Sequence, residues 1–301
     1  MPPLADVGVV VVTHNSAAVV TDLLASLPPA LGPLTAEVVV VDNGSSDDTV
    51  DLLRGRPGVQ VVETDNNGYS SGINLGVGHL SPDVPVLVLN PDVRLAPGSV
   101  AVLLDRLAQP HVGIVAPRIT DLDGTLKFSL RRAPTLLRSI GLAFTGHPWL
   151  SESVKDPSAY DHPHTVSWAT GAALLVSRQC HEELGGWDER FFLYSEETDL
   201  SLRARDRGWL TVYEPGATAE HVGSASGWNS RLYAMQILNR VRLFSSRHSA
   251  PSAWLYYVVS VARELSLVVR GHAEAREGLR VLVRPSRRPP ELRCPPGILP
   301  R

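Results

Sequence analysis

The sequence predicts an α/β fold with a mostly parallel central sheet that is flanked by helices. In the first half of the chain, short uninterrupted runs rich in valine alternate with segments of helical apolar spacing. Such runs are typical of strands that are covered on both faces, as the strands of parallel sheets are. The chain has 301 residues, 44% of them hydrophobic, which suffices for one large core with an appendage.

Strands and helices alternate from the N-terminus to about residue 117. The predicted strands are Val7–Val12, Glu37–Val41, Val59–Glu63 and Val84–Leu89. Helices are predicted over Ala17–Leu27, after "DNGSSDDT", over Ser71–His79 and within "APGSVAVLLDRLA". Ser16 is the predicted N-cap of the first helix, and Pro28-Pro29 its stop.

The second half of the chain has weaker patterns. Residues from about Arg118 to His164 are rich in proline, glycine and polar residues, which predicts long loops. "VSWATGAALLVSR" then predicts a strand leading to a helix capped by Ser177, and "EETDLSLRARDRGW" predicts an amphipathic helix. "LTVYEPGATAEHVG" predicts two short strands.

Residues 231–301 form a basic extension that we expect to be helical. They contain 13 arginines and four glutamates, whereas the whole chain has a net charge of −3. "AWLYYVVSVARELSLVVRGH" has one apolar helical face, which comprises Trp254, Tyr257, Val258, Val261, Leu265 and Val268. Packing of this face on the body is the favoured interpretation. The alternative is an interfacial helix that makes peripheral contact with a membrane, as the following arginines suggest. The two interpretations are compatible.

The cysteines and the N-terminal segment indicate in which cellular compartment the protein is expected. Cys180 and Cys294 are far apart, so no disulfide framework or cysteine-based zinc site is predicted, and a reducing compartment fits. The N-terminus lacks the pattern of a signal peptide, and about 18 apolar residues never run together. We therefore expect no membrane span and a cytoplasmic protein, peripheral at most to the inner face of the cell membrane.

Polar loops follow three of the predicted strands: "THN" after the first, "DNGSSDDT" after the second and "NPD" after the fourth. Ligands of open α/β sheets bind at the carboxyl ends of the strands, so these loops predict a ligand-binding edge. A dinucleotide site would need GxGxxG after the first strand, where "THNSAA" has no glycine. A P-loop is excluded because GK[ST] does not occur.

The acid of "NPD" predicts a cation site. An acid at a strand end can face a phosphate only if a cation lies between the two negative charges, and Mg²⁺ or Mn²⁺ binds carboxylate and phosphate oxygens together. Asp92 suits that role, and Asn90 can hydrogen-bond a ribose. The alternative is a plain Asn-Pro-Asp turn.

Five motifs in order resemble the family 2 inverting glycosyltransferases of the GT-A fold. They are "VVTHNS", "VVVVDNGSSDDT", "NNGYSSGIN", "LVLNPDV" and "GGWDERFFLYSEETDLSLRARDRGW", which span about Val7 to His221. Within the family, "NPD" and the "GGWDERFF" stretch look most like the bacterial rhamnosyltransferase branch. The resemblance implies a GT-A nucleotide-diphospho-sugar transferase domain over residues 1–230, with residues 1–117 as its nucleotide-binding half and 118–230 as its acceptor and catalytic half.

The resemblance implies roles for the donor site. Asp42 matches the acid that hydrogen-bonds the pyrimidine. Thr13, His14 and Asn15 match the loop that holds base and ribose, although the family usually has tyrosine at the middle position. Other polar positions lining the donor site are matched by Asn67 and Asn74, of which the latter can instead pack its helix.

The resemblance also implies a pair of metal-binding residues. Asp92 matches the metal-binding acid of the variant DxD motif, and His221 matches a histidine that completes the metal shell. A surface histidine at a strand end is the alternative for His221.

For the catalytic base, the family places an acidic pair at the start of the helix that carries "EETD". Inversion by single displacement needs one carboxylate to take the proton of the acceptor hydroxyl. Glu196 and Glu197 form the pair, and Glu197 aligns with the base. Asp199 is interpreted as a helix-start or supporting acid. The alternative is that all three acids complement the positive end of the helix dipole.

Two aromatic residues, Trp168 and Tyr194, lie on the acceptor side in the resemblance, although aromatic residues are more often part of a core. Arg131-Arg132 can meet a diphosphate of donor or acceptor, but a solvated arginine pair is the favoured interpretation. The processive signature QxxRW is absent, so we expect transfer of one sugar per turnover.

The predicted function is therefore metal-dependent inverting transfer of one sugar, L-rhamnose from dTDP-L-rhamnose, to a lipid-linked or cell-envelope glycan. A UDP-sugar donor carrying glucose, galactofuranose or an N-acetylhexosamine is the first alternative. A sugar-phosphate nucleotidyltransferase would need a glycine-rich basic loop after the first strand, which is absent. A non-catalytic nucleotide-sugar binder would be expected to lose Asp92 or the glutamate pair. Nucleic acid is not an expected partner.

Overall fold

The computed structural model describes residues 5–140, 147–223, 229–288 and Leu299. Cys294 lies outside the described residues. The strands are β1 (Val7–Thr13), β2 (Ala36–Asn43), β3 (Val59–Thr64), β4 (Val86–Leu89), β5 (Val93–Leu95), β6 (Val112–Thr120), β7 (Leu130–Arg131), β8 (His164–Val166), β9 (Trp168–Ala169), β10 (Ala173–Val176) and β11 (Leu210–His221). The helices are α1 (Val20–Leu31), α2 (Thr49–Leu53), α3 (Tyr69–Val77), α4 (Ser99–Leu107), α5 (Leu136–Ser139), α6 (Arg178–Leu184), α7 (Glu196–Asp206), α8 (Ser230–Arg247), α9 (Ala250–Val269) and α10 (Ala273–Val283).

One mixed sheet forms the centre of the molecule. Its strand order is β3-β2-β1-β4-β10-β6-β11-β5, and β8 pairs with β11. The first four strands of this order are parallel. β10 is antiparallel to both β4 and β6, and β11 is parallel to β6, so β6 and β11 run in the same direction as β4. The predicted α/β class, with a mostly parallel sheet and a helical C-terminal part, is confirmed.

The valine-rich strands are buried because helices cover both faces of the sheet. Successive side chains of a strand point to opposite faces. Val9 and Val11 of β1 accordingly join the cluster that contains α1 and α4. Val10 and Val12 join the cluster that contains α3 and α7. Burial on both faces explains the uninterrupted apolar runs.

Three local predictions need correction. α1 begins at Val20 and not at Ala17, and Val19 before it makes no capping hydrogen bond through its side chain. The helix also continues through Pro28-Pro29 to Leu31. Proline lacks the amide donor but keeps its carbonyl, and the Pro28 carbonyl accepts a hydrogen bond from Gly32 N. The two strands predicted after residue 209 are one strand, β11, whose register with β6 shifts between Glu214 and Thr218. The segment predicted as loops starts inside β6 and also contains β7 and α5.

α9 packs mainly through a face that lies beside the predicted one. α9 buries Ala253, Tyr256, Ser260 and Glu264. The Glu264 carboxylate accepts a 2.8 Å hydrogen bond from the Tyr233 hydroxyl of α8 and pairs with Arg263 at 2.8 Å, which turns this polar face inward. The predicted apolar face packs only in part: Tyr257 and Val261 contact the apolar cluster of the C-terminal helices.

Most of the rest of the predicted face of α9, together with the adjoining Leu255 and Val269, is exposed. Its large side chains are each more than half exposed: Trp254, Leu255, Val258, Leu265 and Val269. Within the described part of the chain, α9 is also the one helix whose length, 20 residues, and mean hydropathy, 1.2, would allow it to cross a bilayer.

Candidate active site

The loops after β1 and β2 are tied together around the buried carboxylate of Asp42. Thr13 lies opposite Asp42 in the parallel register, and its hydroxyl donates to Asp42 Oδ1 at 2.8 Å. Ser45 donates its hydroxyl to Oδ1 at 2.5 Å and its backbone N–H to Oδ2 at 2.8 Å. A carboxylate has about four acceptor positions. Asp42 therefore keeps about one for a donor group such as the N3–H of a pyrimidine.

His14 and Asn15 are exposed beside Asp42. His14 Nδ1 lies 2.9 Å from the carbonyl oxygen of Asn43, which fixes the ring. Asn15 adopts a left-handed backbone with φ 51°, and its side-chain oxygen accepts from the backbone N–H of Ser46 at 2.8 Å. These contacts hold the two side chains on the ligand-binding edge.

Tyr69 is a site residue that the sequence analysis missed. Its hydroxyl donates to Asn90 Oδ1 at 2.7 Å. Burial, followed by the negative charges of Glu196, Glu197 and Asp92, raises the pKa of this hydroxyl well above its ordinary value. Tyr69 thus lies within electrostatic reach of the predicted metal acid and of the predicted base pair. The structure brings these three acids around one tyrosine.

Gly68 explains why Tyr69 reaches this position. It has φ 97°, and a Cβ at Gly68 would lie 2.7 Å from the backbone oxygen of Phe192. The same oxygen accepts from Tyr69 N at 2.7 Å. The signal in the sequence was the glycine before the tyrosine in "NNGYSSGIN", because glycine permits both a positive φ and a close backbone approach.

Asp92 and His221 form the second part of the site. Asp92 follows β4, and its backbone oxygen accepts from Val222 N at 3.0 Å, just past the end of β11. His221 Nε2 lies 3.2 Å from Asp92 Oδ1. Burial alone would raise the pKa of Asp92, but hydrogen bonding and attraction from His221, together with the backbone N–H of Gly223, lower it. Asp92 is therefore ionised at neutral pH.

The donor groups of this pair fit a hard divalent cation. Among the described residues, no group of three or more His, Cys, Asp and Glu is arranged to hold a metal ion. A cation at Asp92 and His221 would need its other ligands from phosphate oxygens and water. That is the usual environment of Mg²⁺, and Mn²⁺ accepts the same oxygen ligands.

Glu196 and Glu197 lie at the start of α7, where burial and mutual repulsion disfavour two ionised carboxylates. Burial and then the charge of Glu197 raise the pKa of Glu196 well above the ordinary value. Burial also raises the pKa of Glu197, but backbone N–H groups, including those of Thr198 and Gly171, and the charge of Arg131 oppose the shift. Of the two, Glu197 is therefore the more easily ionised.

The two glutamates are positioned by an unusual turn. Tyr194 and Ser195 have φ values of 68° and 76°, and such left-handed conformations of residues other than glycine are strained. Asn239 of α8 donates its side-chain N–H to the backbone oxygens of Leu193 and Tyr194, at 2.9 and 3.2 Å. Asn239 thus ties the C-terminal extension to the turn, and no motif in the sequence indicated this contact.

Three predicted site residues make contacts that support neighbouring segments. Asn74 donates to the carbonyl oxygen of Trp187 at 2.9 Å and accepts from Trp187 N at 2.9 Å. Asp199 pairs with Arg203 at 2.6 Å within α7. Trp168 Nε1 donates to the Arg132 carbonyl at 3.1 Å, and the Arg131 guanidinium lies 5.9 Å from the Trp168 ring centre. Asn67 is half-buried in the loop before α3.

Comparison with known proteins decides the family. The profile of glycosyl transferase family 2 matches residues 8–160, which is half of the chain and contains Thr13, Asp42, Tyr69 and Asp92. The chain belongs to glycosyl transferase family 2. It is therefore a glycosyltransferase.

Two relatives of this glycosyltransferase are named as a rhamnosyltransferase and a hexosyltransferase. It is 32% identical over 296 residues to an N-acetylglucosaminyl-diphospho-decaprenol L-rhamnosyltransferase of Mycobacterium tuberculosis, covering 90% of this chain and 94% of the relative. It is 29% identical to a low-salt glycan biosynthesis hexosyltransferase, Agl10, of Haloferax volcanii, over 67% of this chain and 62% of the relative.

Solved structures share the GT-A fold of this glycosyltransferase. A mannosyltransferase from Pyrobaculum calidifontis, in complex with GDP-Man and Mn²⁺, aligns with a TM-score of 0.56 and 16% identity, over 96% of this chain and 83% of that chain. GalNAc-T7 with UDP, GalNAc and Mn²⁺ aligns with a TM-score of 0.61 and 16% identity, over 93% of this chain but 55% of that chain.

Proposed function

We propose that this glycosyltransferase transfers one L-rhamnose, with inversion and with a divalent metal, from dTDP-L-rhamnose to a hydroxyl of a lipid-linked glycan. The observation that carries the proposal is that Asp42, with an acceptor position left over, and the Asp92–His221 pair, 3.2 Å apart, both lie at the carboxyl ends of parallel strands, next to the Tyr69–Asn90 hydrogen bond of 2.7 Å. The rhamnose donor and the lipid-linked acceptor are supported by the name of the relative that shares 32% identity.

In this proposal, residues 1–117 bind the donor. Asp42 accepts the pyrimidine N3–H, and the loop of Thr13, His14 and Asn15 holds base and ribose. Asn90, oriented by Tyr69, hydrogen-bonds the ribose. Asn67 lines the donor site, and Asn74 contributes by holding the loop at Trp187.

Asp92 and His221 would hold Mg²⁺ or Mn²⁺, which supplies positive charge to the departing nucleoside diphosphate. Glu197 takes the proton of the acceptor hydroxyl as that oxygen attacks the anomeric carbon. Glu196, whose pKa is raised further, carries a proton in the resting pair. Trp168 and Tyr194 face the acceptor, and Asp199 holds α7 through Arg203.

The donor nucleotide is tested by calorimetric titration of dTDP and UDP in the presence of Mn²⁺. Both bases offer an N3–H to Asp42, so a preference must come from the 5-methyl group of thymine or from the 2′-hydroxyl, which UDP carries and dTDP lacks. We expect dTDP to bind about fourfold more tightly, since a buried methyl-sized group contributes about 0.8 kcal/mol and a tenfold change corresponds to about 1.4 kcal/mol. Tighter binding of UDP would contradict the rhamnose donor and leave the family assignment intact.

We also propose that residues 231–301 form a separate basic extension, which brings the enzyme to a membrane surface through the exposed face of α9. Arg263 lies within α9 and Arg270 follows its last residue, and an apolar helix face flanked by arginines favours an anionic bilayer. A vesicle flotation assay with anionic lipid tests the proposal.

In that assay, Trp254→Ser, Val258→Ser and Leu265→Ser together should weaken vesicle binding by at least about tenfold, because each buried side chain contributes about 1.5–3 kcal/mol. Leu122→Ser is the matched control, since Leu122 is 52% exposed outside the extension. Equal flotation of the triple variant and the control would remove the membrane contact.

A further inference from the structure

A cavity of about 600 Å³ lies between α5, α8 and α9, next to the segment that carries Glu152. Its wall contains apolar side chains such as Ile237 and Leu267. Its charged groups are four arginines and two glutamates, namely Arg138, Arg240, Arg263, Arg270, Glu152 and Glu264. The cavity is therefore amphipathic, with more positive than negative charge.

Two of these arginines are already neutralised. Arg240 pairs with Glu152 at 2.6 Å, and Arg263 pairs with Glu264 at 2.8 Å. Neither Arg138 nor Arg270 has an ion pair with a carboxylate of the described residues. The Arg138 guanidinium donates to the Ala133 carbonyl at 2.5 Å, and Arg270 Nε donates to the Ser266 carbonyl at 3.2 Å. A guanidinium has five N–H groups, so each arginine keeps donors with which an anion in the cavity could form charge-assisted hydrogen bonds.

One wall of the cavity is shared with the acceptor side of the active site. The backbone oxygen of Glu152 accepts from Arg132 N at 2.7 Å, and Arg131 pairs with Ser153 in an isolated bridge. Arg131 lies near the Trp168 ring and is attracted by both Glu152 and Glu197. The residue pair at 131–132 thus lies between the cavity and the proposed base.

Another wall leads to the exposed face of α9. Ala262 and Ser266 line the cavity. Residues three or four apart are neighbours on a helix surface, so Ala262 adjoins Val258 and Leu265, and Ser266 adjoins Val269. A molecule with an anionic group in the cavity can therefore lay an apolar chain directly on this face.

We propose that the cavity binds the diphosphate of a prenyl-diphosphate-linked acceptor, with Arg138 and Arg270 as its phosphate ligands and with the prenyl chain along the exposed face of α9. Guanidinium groups match phosphate oxygens in charge and in bidentate geometry. This inference rests on the proposed lipid-linked acceptor and assigns that acceptor a site separate from the donor site.

The test measures binding of farnesyl diphosphate to the full chain by calorimetry, in the wild type, in Arg138→Gln/Arg270→Gln and in Arg276→Gln. Arg276 is the matched control, because it is exposed on α10 and does not line the cavity. We expect the double variant to bind farnesyl diphosphate at least about tenfold more weakly, as the loss of hydrogen bonds to a charged group predicts. The Arg276→Gln variant should bind like the wild type. All three proteins should bind dTDP with Mn²⁺ equally, which also shows that the variants are folded.

The other outcomes are distinct. Equal binding of farnesyl diphosphate by the wild type and the double variant, or its displacement by dTDP, would overturn the cavity assignment. Equal affinity of the wild type for inorganic pyrophosphate and farnesyl diphosphate would overturn the prenyl part. If dTDP binds with Mn²⁺ but farnesyl diphosphate does not bind, the inference fails and the proposed donor stands. If farnesyl diphosphate binds as expected but dTDP does not, the proposed donor fails and the cavity assignment stands.

Discussion

Glu197→Gln should lower kcat by about 10²–10⁴-fold, the usual contribution of a positioned general base, while binding of dTDP with Mn²⁺ stays within about twofold. Glutamine keeps the shape of the side chain and its place against Gly171, where a Cβ would lie 3.3 Å from the Glu197 Cβ. It cannot accept the proton of the acceptor hydroxyl. Steady-state transfer kinetics and calorimetry on the same preparation separate the two effects.

Two controls sharpen this prediction. Glu182→Gln changes a glutamate whose side chain is 58% exposed on α6 and should leave kcat unchanged. Glu196→Gln should lower kcat less than Glu197→Gln does, because Glu196 is the protonated member of the pair. A collapse of kcat in Glu196→Gln, with near-normal turnover in Glu197→Gln, would move the base to Glu196.

The same pair sets the pH dependence of catalysis. Burial raises the pKa of Glu197, and the base must be ionised to accept a proton. The activity should therefore be lost as the pH falls through a value above 4.5, the ordinary pKa of a glutamate. If the pH profile of kcat instead fell with an apparent pKa at or below that ordinary value, it would contradict a buried environment of Glu197.

Asp92→Asn should remove the metal-dependent part of donor binding. Asparagine has nearly the same shape, but it lacks the negative charge that a divalent cation requires. Loss of a supporting group around a metal already costs about 10–100-fold in metal affinity, and loss of the ligand itself should cost at least as much. Titration of dTDP with and without Mn²⁺ should show a large enhancement in the wild type and little in Asp92→Asn.

Asp105→Asn is the control for this titration, since it changes an exposed carboxylate on α4. It should keep the full enhancement by Mn²⁺. An undiminished enhancement in Asp92→Asn would instead remove Asp92 from the proposed metal site.

The parallel half of the sheet could be predicted from the sequence because its strands are covered on both faces. Val7–Val12 and Val84–Leu89 are continuous apolar runs, and they form β1 and β4 within one residue or two. β10 could not be placed, because an antiparallel strand inserted between β4 and β6 depends on contacts distant in sequence. The split of β11 into two strands arose from Pro215 and Gly216, where the structure has only a register shift.

Some residues of the candidate site could likewise be predicted from the sequence, and others could not. Asp42, Asp92 and the glutamate pair occur in ordered motifs, so the sequence could point to them. Asn239 could not be found from motifs, because its importance comes from contacts with the backbone of Leu193 and Tyr194. Tyr69 lies within the motif "NNGYSSGIN", but the motif does not reveal its hydrogen bond with Asn90. Only part of the predicted packing face of α9 is buried, since Glu264, with its Tyr233 partner, turns a less apolar face inward.

The measurement that tests the central claim most directly is NMR analysis of the product formed from dTDP-L-rhamnose, Mn²⁺ and a prenyl-diphosphate-linked N-acetylglucosamine. We predict one added rhamnose whose anomeric configuration is opposite to that of the donor, because in the proposed mechanism Glu197 activates the acceptor oxygen for a single displacement. A product with the donor's configuration would contradict that mechanism. Absence of rhamnose transfer, with transfer from a UDP-sugar in its place, would contradict the proposed donor.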